Sequence, residues 1–105
     1  MNEKIFYSLD NEHQINTSYI DDISWFQIIK FNPDRQKTFI LLIKEIIEYF
    51  TEKNILYIKQ YISENDISFF KNSNINKIDD DVYIISTPIT KFVDDMVFAL
   101  GIKVI

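Results

Sequence analysis

The chain has 105 residues, 47% of them hydrophobic, and its 16 acidic and 11 basic side chains give a formal net charge of −5. A chain of this size and composition predicts one domain that buries its own core without metal or disulfide support. The negative charge disfavours nucleic acid and anionic membrane surfaces as partners, because it repels phosphate groups. The absence of cysteine excludes disulfides, thiolate metal sites and cysteine nucleophiles, and it fits a reducing compartment.

The N-terminus has no secretory hydrophobic region, and no segment approaches the roughly 20 apolar residues that span a bilayer. We therefore expect a cytoplasmic protein with no membrane partner. The richness in Ile, Asn and Lys is typical of AT-rich genomes, such as those of some bacteria, phages or large DNA viruses. If the gene is viral, the compartment would be the host cytoplasm.

The single glycine excludes several classes of cofactor site. Loops that cradle phosphates need left-handed backbone and close approach, and both favour glycine. P-loop, dinucleotide and kinase-type signatures are absent from the sequence. We expect no bound cofactor.

The N-terminal third predicts strands. Residues 4–9 and 14–20 read as two short strands around a polar loop at residues 10–13, which indicates a hairpin. Residues 23–31 are apolar on both faces and predict an interior strand.

Residues 34–54 predict the long helix around which the core is organised. Its apolar side chains cover about half the helical circumference, a width suited to packing on a sheet. Pro33 favours a helix start and Lys53 with Asn54 favours a stop. Leu41 breaks the pattern, because it falls on the charged side beside Lys44.

The second half predicts further strands and helices. Residues 55–62 read as a strand, and the order strand, helix, strand predicts a right-handed crossover with parallel pairing. A short helix capped by Ser63 follows. Residues 75–78 and 82–86 then read as a hairpin or as one strand preceded by an irregular arm, and a turn near residues 79–80 is the favoured interpretation. Residues 89–100 form a last helix closed by Gly101, and residues 102–105 add an edge strand. The predicted fold class is α/β, with α+β as the alternative: a single compact domain with a mixed sheet packed by the long helix.

No residue pattern predicts a catalytic or metal site. His13 lies beside Asp10 and Glu12 and could act as an acid-base group, but a solvated turn residue is the favoured interpretation. The acidic runs at residues 21–22, 79–81 and 94–95 lack the alternating ligands and central glycine of a calcium loop. We expect no catalytic residues and no metal, and regard an enzyme as the less favoured class.

Four polar residues form the best candidate for a small-ligand site. Lys59 and Gln60 would end a parallel strand, and Ser63 and Asn65 would open the next helix. In α/β proteins, ligands bind where strand ends meet helix N-termini. A small-molecule binding domain with a pocket near residues 60–66 is therefore the alternative function.

From Ile23 onward, the order strand, Pro-started helix, strand, short helix, strand resembles the C-terminal half of GNAT-type acyltransferases. In that family, the Pro-x-x-Gln spacing of Pro33 and Gln36 would introduce the cofactor loop. The glycines that bind pyrophosphate there are replaced by Lys37, Phe39 and Leu41. The resemblance therefore implies a degenerate acyltransferase-like scaffold without its cofactor, which is a form of the alternative function.

Large apolar groups in polar surroundings predict an interaction surface. Leu41 and Phe98 fall among charged residues on their helices, and Tyr57 and Tyr61 share one face of a strand. Exposed aromatic and aliphatic patches mark protein contacts. The leading hypothesis is a small acidic non-enzymatic protein that binds a protein partner or forms a homo-oligomer.

Overall fold

The computed structural model describes residues 2–21, 23–70 and 73–102. Their order is β1 (Asn2–Tyr7), β2 (Gln14–Ile20), β3 (Ile23–Lys30), α1 (Gln36–Glu52), β4 (Tyr57–Ile62), a 3₁₀ helix (Glu64–Phe70), β5 (Asn74–Asp79), β6 (Val82–Pro88) and α2 (Ile89–Ala99). The predicted mixture of helices and strands is confirmed. The chain divides into two compact units, Met1–Leu56 and Tyr57–Ile105.

The first unit contains an antiparallel sheet in the order β1-β2-β3. The hairpin of β1 and β2 is confirmed, with Phe6 opposite Ile15 and Lys4 opposite Thr17. Alternation along each strand sends these side chains to one face of the sheet, where Phe6 and Ile15 are buried. The interior position predicted for β3 is wrong, because β2 is the central strand of this sheet.

Helix α1 supplies most of the first unit's core. The side chains it buries are Phe39, Leu42, Ile43, Ile46 and Phe50. The helix begins at Gln36, two residues after the predicted start, because the Asn32 side chain accepts a hydrogen bond from the Asp34 N–H and holds a turn there. At its other end the N–H of Ile55 donates to the Phe50 carbonyl, across a left-handed Asn54, which is a Schellman stop.

The second unit contains a separate antiparallel sheet in the order β4-β6-β5. This corrects the single mixed sheet and the parallel pairing that were predicted. Strand β4 pairs with β6, with Ile58 opposite Thr87, and β3 and β4 belong to different sheets. The crossover rule applies only when both strands join one sheet, and sequence order alone does not fix that. The turn predicted near residues 79–80 lies one residue later, between β5 and β6.

Helix α2 buries Ile89, Phe92 and Met96. The helix ends at Ala99, one residue before the predicted end, and the left-handed Gly101, whose φ is +69°, closes it as predicted. The Ile102 N–H donates to the Val97 carbonyl. Residues 103–105 of the predicted edge strand lie outside the described residues. Within the described part of the chain, the helices are too short or too polar to cross a bilayer.

Candidate functional site

The hairpin loop between β1 and β2 is anchored by a buried histidine. The prediction that His13 is a solvated turn residue is wrong, because its side chain is fully buried. Its Nε2 lies 2.7 Å from the Arg35 carbonyl oxygen, and its Nδ1 accepts from the Asn32 N–H at 3.3 Å. These partners specify the tautomer with the proton on Nε2. The ring also packs edge-on against Phe39.

The carboxylate of Asp10 organises the same loop. One oxygen accepts from the Ser8 hydroxyl at 2.7 Å and from the Glu12 N–H at 3.1 Å, and the other accepts from the Thr38 hydroxyl at 2.8 Å. The hydrogen bond from Ser8, with those from Thr38 and Glu12, lowers the pKa of Asp10 from 3.8 to about 2 against an opposing desolvation. The carboxylate therefore ties the loop to the first turn of α1.

Ser8, Asp10 and His13 lie together, yet their geometry is structural. The Ser8 hydroxyl donates to Asp10 and accepts from the backbone N–H of His13. Both imidazole nitrogens are engaged by backbone groups of the loop before α1. A nucleophile needs a base in hydrogen-bonding reach, and this imidazole points elsewhere. The cluster holds a loop in place.

A shallow depression lies beside this anchored loop. It has a volume of about 150 Å³ and is lined by Tyr7, Ser8, Leu9, Thr38, Leu41, Leu42 and Glu45. We call it the Leu9–Leu41 depression. Leu9 is 97% exposed and Leu41 is 56% exposed, and Tyr7 is exposed as well. Apolar side chains from a hairpin and a helix therefore meet at one surface.

The face of the first sheet that points away from α1 is more polar than the face that packs against this helix. An open concavity of about 620 Å³ lies there, and Asn16, Ser18, Trp25 and Gln27 contribute to its lining. Ile5 also lines it and is 51% exposed. The concavity has a mixed lining, and its polar groups come from successive strands.

The remaining predicted interface residues belong to the second unit. Tyr57 and Tyr61 are exposed on one face of β4, and Phe98 is 87% exposed on α2. Their exposure agrees with the sequence pattern. Their use as an interface stays a prediction, as it does for Leu41.

The predicted ligand site loses the geometry on which it was based. Lys59 and Gln60 lie in an antiparallel strand, and Ser63 precedes a 3₁₀ helix that contains the exposed Asn65. A parallel strand end facing an α-helix N-terminus is therefore absent at this place. Binding of a ligand by these four residues stays untested.

The segment after Pro33 forms no cofactor loop. Residues 37–41 lie within α1, where Phe39 is fully buried in the core. Among the described residues, no group of three or more His, Asp or Glu side chains could hold a metal ion.

No family model, curated protein or solved structure matches this chain.

Sequence reasoning identified Leu41 but missed Leu9 and Tyr7. The sequence pattern predicts Leu9 at the end of a strand, whereas it lies in a turn between Ser8 and Asp10. A leucine flanked by turn-forming polar residues is a signal of exposure that the sequence does contain. Its neighbour on the surface, Leu41, is far away in the chain, so the pair required the tertiary structure.

Proposed function

We propose that this chain is a cytoplasmic binding protein that acts through protein contacts, with a different partner or with another copy of itself, at the Leu9–Leu41 depression. The observation that carries the proposal is the exposure of Leu9 beside Leu41 and Tyr7. Burying a leucine side chain contributes roughly 1.5–3 kcal/mol, so a partner that covers both leucines gains substantially. Clustered exposed apolar groups are typical of contact surfaces.

The anchored loop supports this role. Leu9 lies between Ser8 and Asp10, and both neighbours have side chains fixed by hydrogen bonds. A loop that is already ordered loses less backbone entropy when its side chain binds a partner than a mobile loop does. The buried His13 network therefore preorganises an apolar contact residue.

The test compares the native chain with Leu9→Asp and Leu41→Asp. Leu56→Asp is the matched control, because Leu56 is 56% exposed, like Leu41. Light scattering across a concentration series measures self-association against the 12.6 kDa monomer. We expect Leu9→Asp and Leu41→Asp to remain monomeric where the native chain and the control associate.

If the native chain is monomeric, the same four proteins serve as baits for partners. We expect the native chain and Leu56→Asp to retain a common protein that the other two variants lose. Identical behaviour of all four proteins in both measurements would contradict the proposal.

A further inference from the structure

Strand β1 forms an edge of the first sheet. Within the described residues it pairs with β2 alone. Its residues are exposed except Phe6. An edge strand presents unpaired backbone groups and can accept another strand.

The backbone groups of β1 that point away from β2 can be assigned. The Ser8 N–H donates to the His13 carbonyl at 3.1 Å, and the register places Phe6 opposite Ile15 and Lys4 opposite Thr17. In an antiparallel ladder, hydrogen-bonded pairs alternate with non-bonded pairs. Phe6 and Lys4 therefore direct their N–H and C=O groups toward β2. The corresponding groups of Glu3, Ile5 and Tyr7 face outward.

We propose that β1 pairs antiparallel with β1 of a second copy of this chain, about a twofold axis at Ile5. The pairing deepens the proposed function, on which it rests, by naming the partner and the contact. Ile5 lies opposite Ile5 of the second copy, Lys4 opposite Phe6, and Glu3 opposite Tyr7. The two sheets join into one continuous sheet with a closed, isologous interface.

The outward groups select this register. With the axis at Ile5, Glu3, Ile5 and Tyr7 all find hydrogen-bonding partners. Moving the axis to Lys4 would place two lysines directly opposite each other, which is destabilising. Moving it to Phe6 would pair Ile5 with Tyr7 and leave Glu3 outside the shared ladder.

On the face of β1 that packs against α1, the side chains suit a second copy. Lys4 already lies over the rings of Phe6 and Tyr49, at 4.8 and 4.6 Å from their centroids. In the joined sheet, Lys4 of the second copy lies opposite Phe6, and cations favour aromatic rings.

Strand β1 is a more regular edge than β5, one of the two outer strands of the second sheet. β5 has a register irregularity between Lys77 and Asp79, and such irregularities protect edges from pairing. β1 pairs with β2 without a shift, and its C-terminal end leads directly to Leu9. The pairing surface is thus continuous with the Leu9–Leu41 depression.

Light scattering tests the pairing with Ile5→Lys, which places two added charges opposite each other at the axis. Ile29→Lys is the matched control, because Ile29 is 48% exposed on β3 of the same sheet, against 51% for Ile5. We expect a concentration-dependent dimer for the native chain and the control, and a monomer for Ile5→Lys. A dimer that survives Ile5→Lys overturns the proposal.

Cysteine variants test the register, because the native chain has no cysteine. Residues in a hydrogen-bonded pair have Cα atoms about 5.5 Å apart, a separation that a disulfide bridges. With oxidised glutathione, we expect Ile5→Cys to form a covalent dimer at least about tenfold faster than Lys4→Cys or Ile29→Cys, because pairing raises the effective thiol concentration. Equal rates for the three variants overturn the register, and this assay decides the matter if Ile5→Lys fails to fold.

The results separate this inference from the proposed function. Association that Leu9→Asp and Leu41→Asp abolish but Ile5→Lys preserves overturns the β1 pairing and supports the depression as a contact surface. A native chain that stays monomeric also overturns the pairing. The bait comparison then decides the proposed function independently.

Discussion

At the scale of single residues, asparagine and aspartate adopt the left-handed backbone conformation that glycine usually adopts in turns. Asn11, Asp21, Asn54 and Asp81 all have φ between +53° and +59°. These two residue types tolerate the left-handed region better than other side chains. The low glycine content therefore does not prevent tight turns.

His13 is a structural residue, and its substitution tests that role. His13→Phe keeps an aromatic ring against Phe31 and Phe39 but removes both ring hydrogen bonds. We expect a loss of about 2 kcal/mol in the free energy of unfolding, because the Asn32 N–H and the Arg35 carbonyl lose buried partners. Urea denaturation measures the change. Glu12→Gln, which retains an acceptor for Asn32, is the control and should change stability far less.

Asp10 makes stability depend on pH in the acid range. Its pKa is lowered to about 2 in the folded chain, so the unfolded chain binds more protons between about 2 and 3.8. The stabilisation that the ionised Asp10 provides is fully present above pH 3.8, and it is lost as the pH falls from 3.8 to about 2. We expect Asp10→Asn to be less stable than the native chain at neutral pH, with the difference closing toward pH 2.

Urea denaturation at several pH values measures this difference. Thr38→Val removes one of the hydroxyl donors to Asp10 and should show a smaller change of the same sign. A gap between the native chain and Asp10→Asn that stays constant with pH would contradict the assignment.

At the scale of elements, local sequence signals predicted which strands and helices exist and of which type they are. They did not predict which strands pair with each other. The β2 bounds, the long helix and the stop at Gly101 are confirmed. Periodicity and terminal residues specify these features within one segment. The partner of β4 was predicted wrongly, because β6 lies more than twenty residues away in the sequence and nothing in β4 itself encodes that choice.

The end of α2 allows a test of the glycine stop. A Cβ at Gly101 would meet nothing within 4 Å, so Gly101→Ala costs only the left-handed backbone conformation. We expect a loss of about 1 kcal/mol in the free energy of unfolding. Gly101→Asn is the matched control, because the chain already uses asparagine in this role at Asn54. Thermal and urea unfolding measure the stability of both variants. This account is contradicted if Gly101→Ala is not less stable than Gly101→Asn.

At the scale of the whole molecule, the composition and the surface bear on function in different ways. The composition argued against thiol chemistry and glycine-rich cofactor loops, and the structure adds one anchored loop that presents an apolar side chain. The candidate ligand residues near Gln60 followed from a parallel sheet that the chain does not form. The single domain remains a prediction.

The sequence by itself determined the order and type of the described strands and helices, the turns that asparagine and aspartate permit, and the exposure of Leu41. Each depends on periodicity or backbone preference over a few consecutive residues. Only the tertiary structure decided that the strands form two antiparallel sheets, that His13 is buried, and that Leu9 lies beside Leu41. The physical reason is that strand pairing and burial depend on contacts between residues distant in the chain, and a single sequence does not display those contacts.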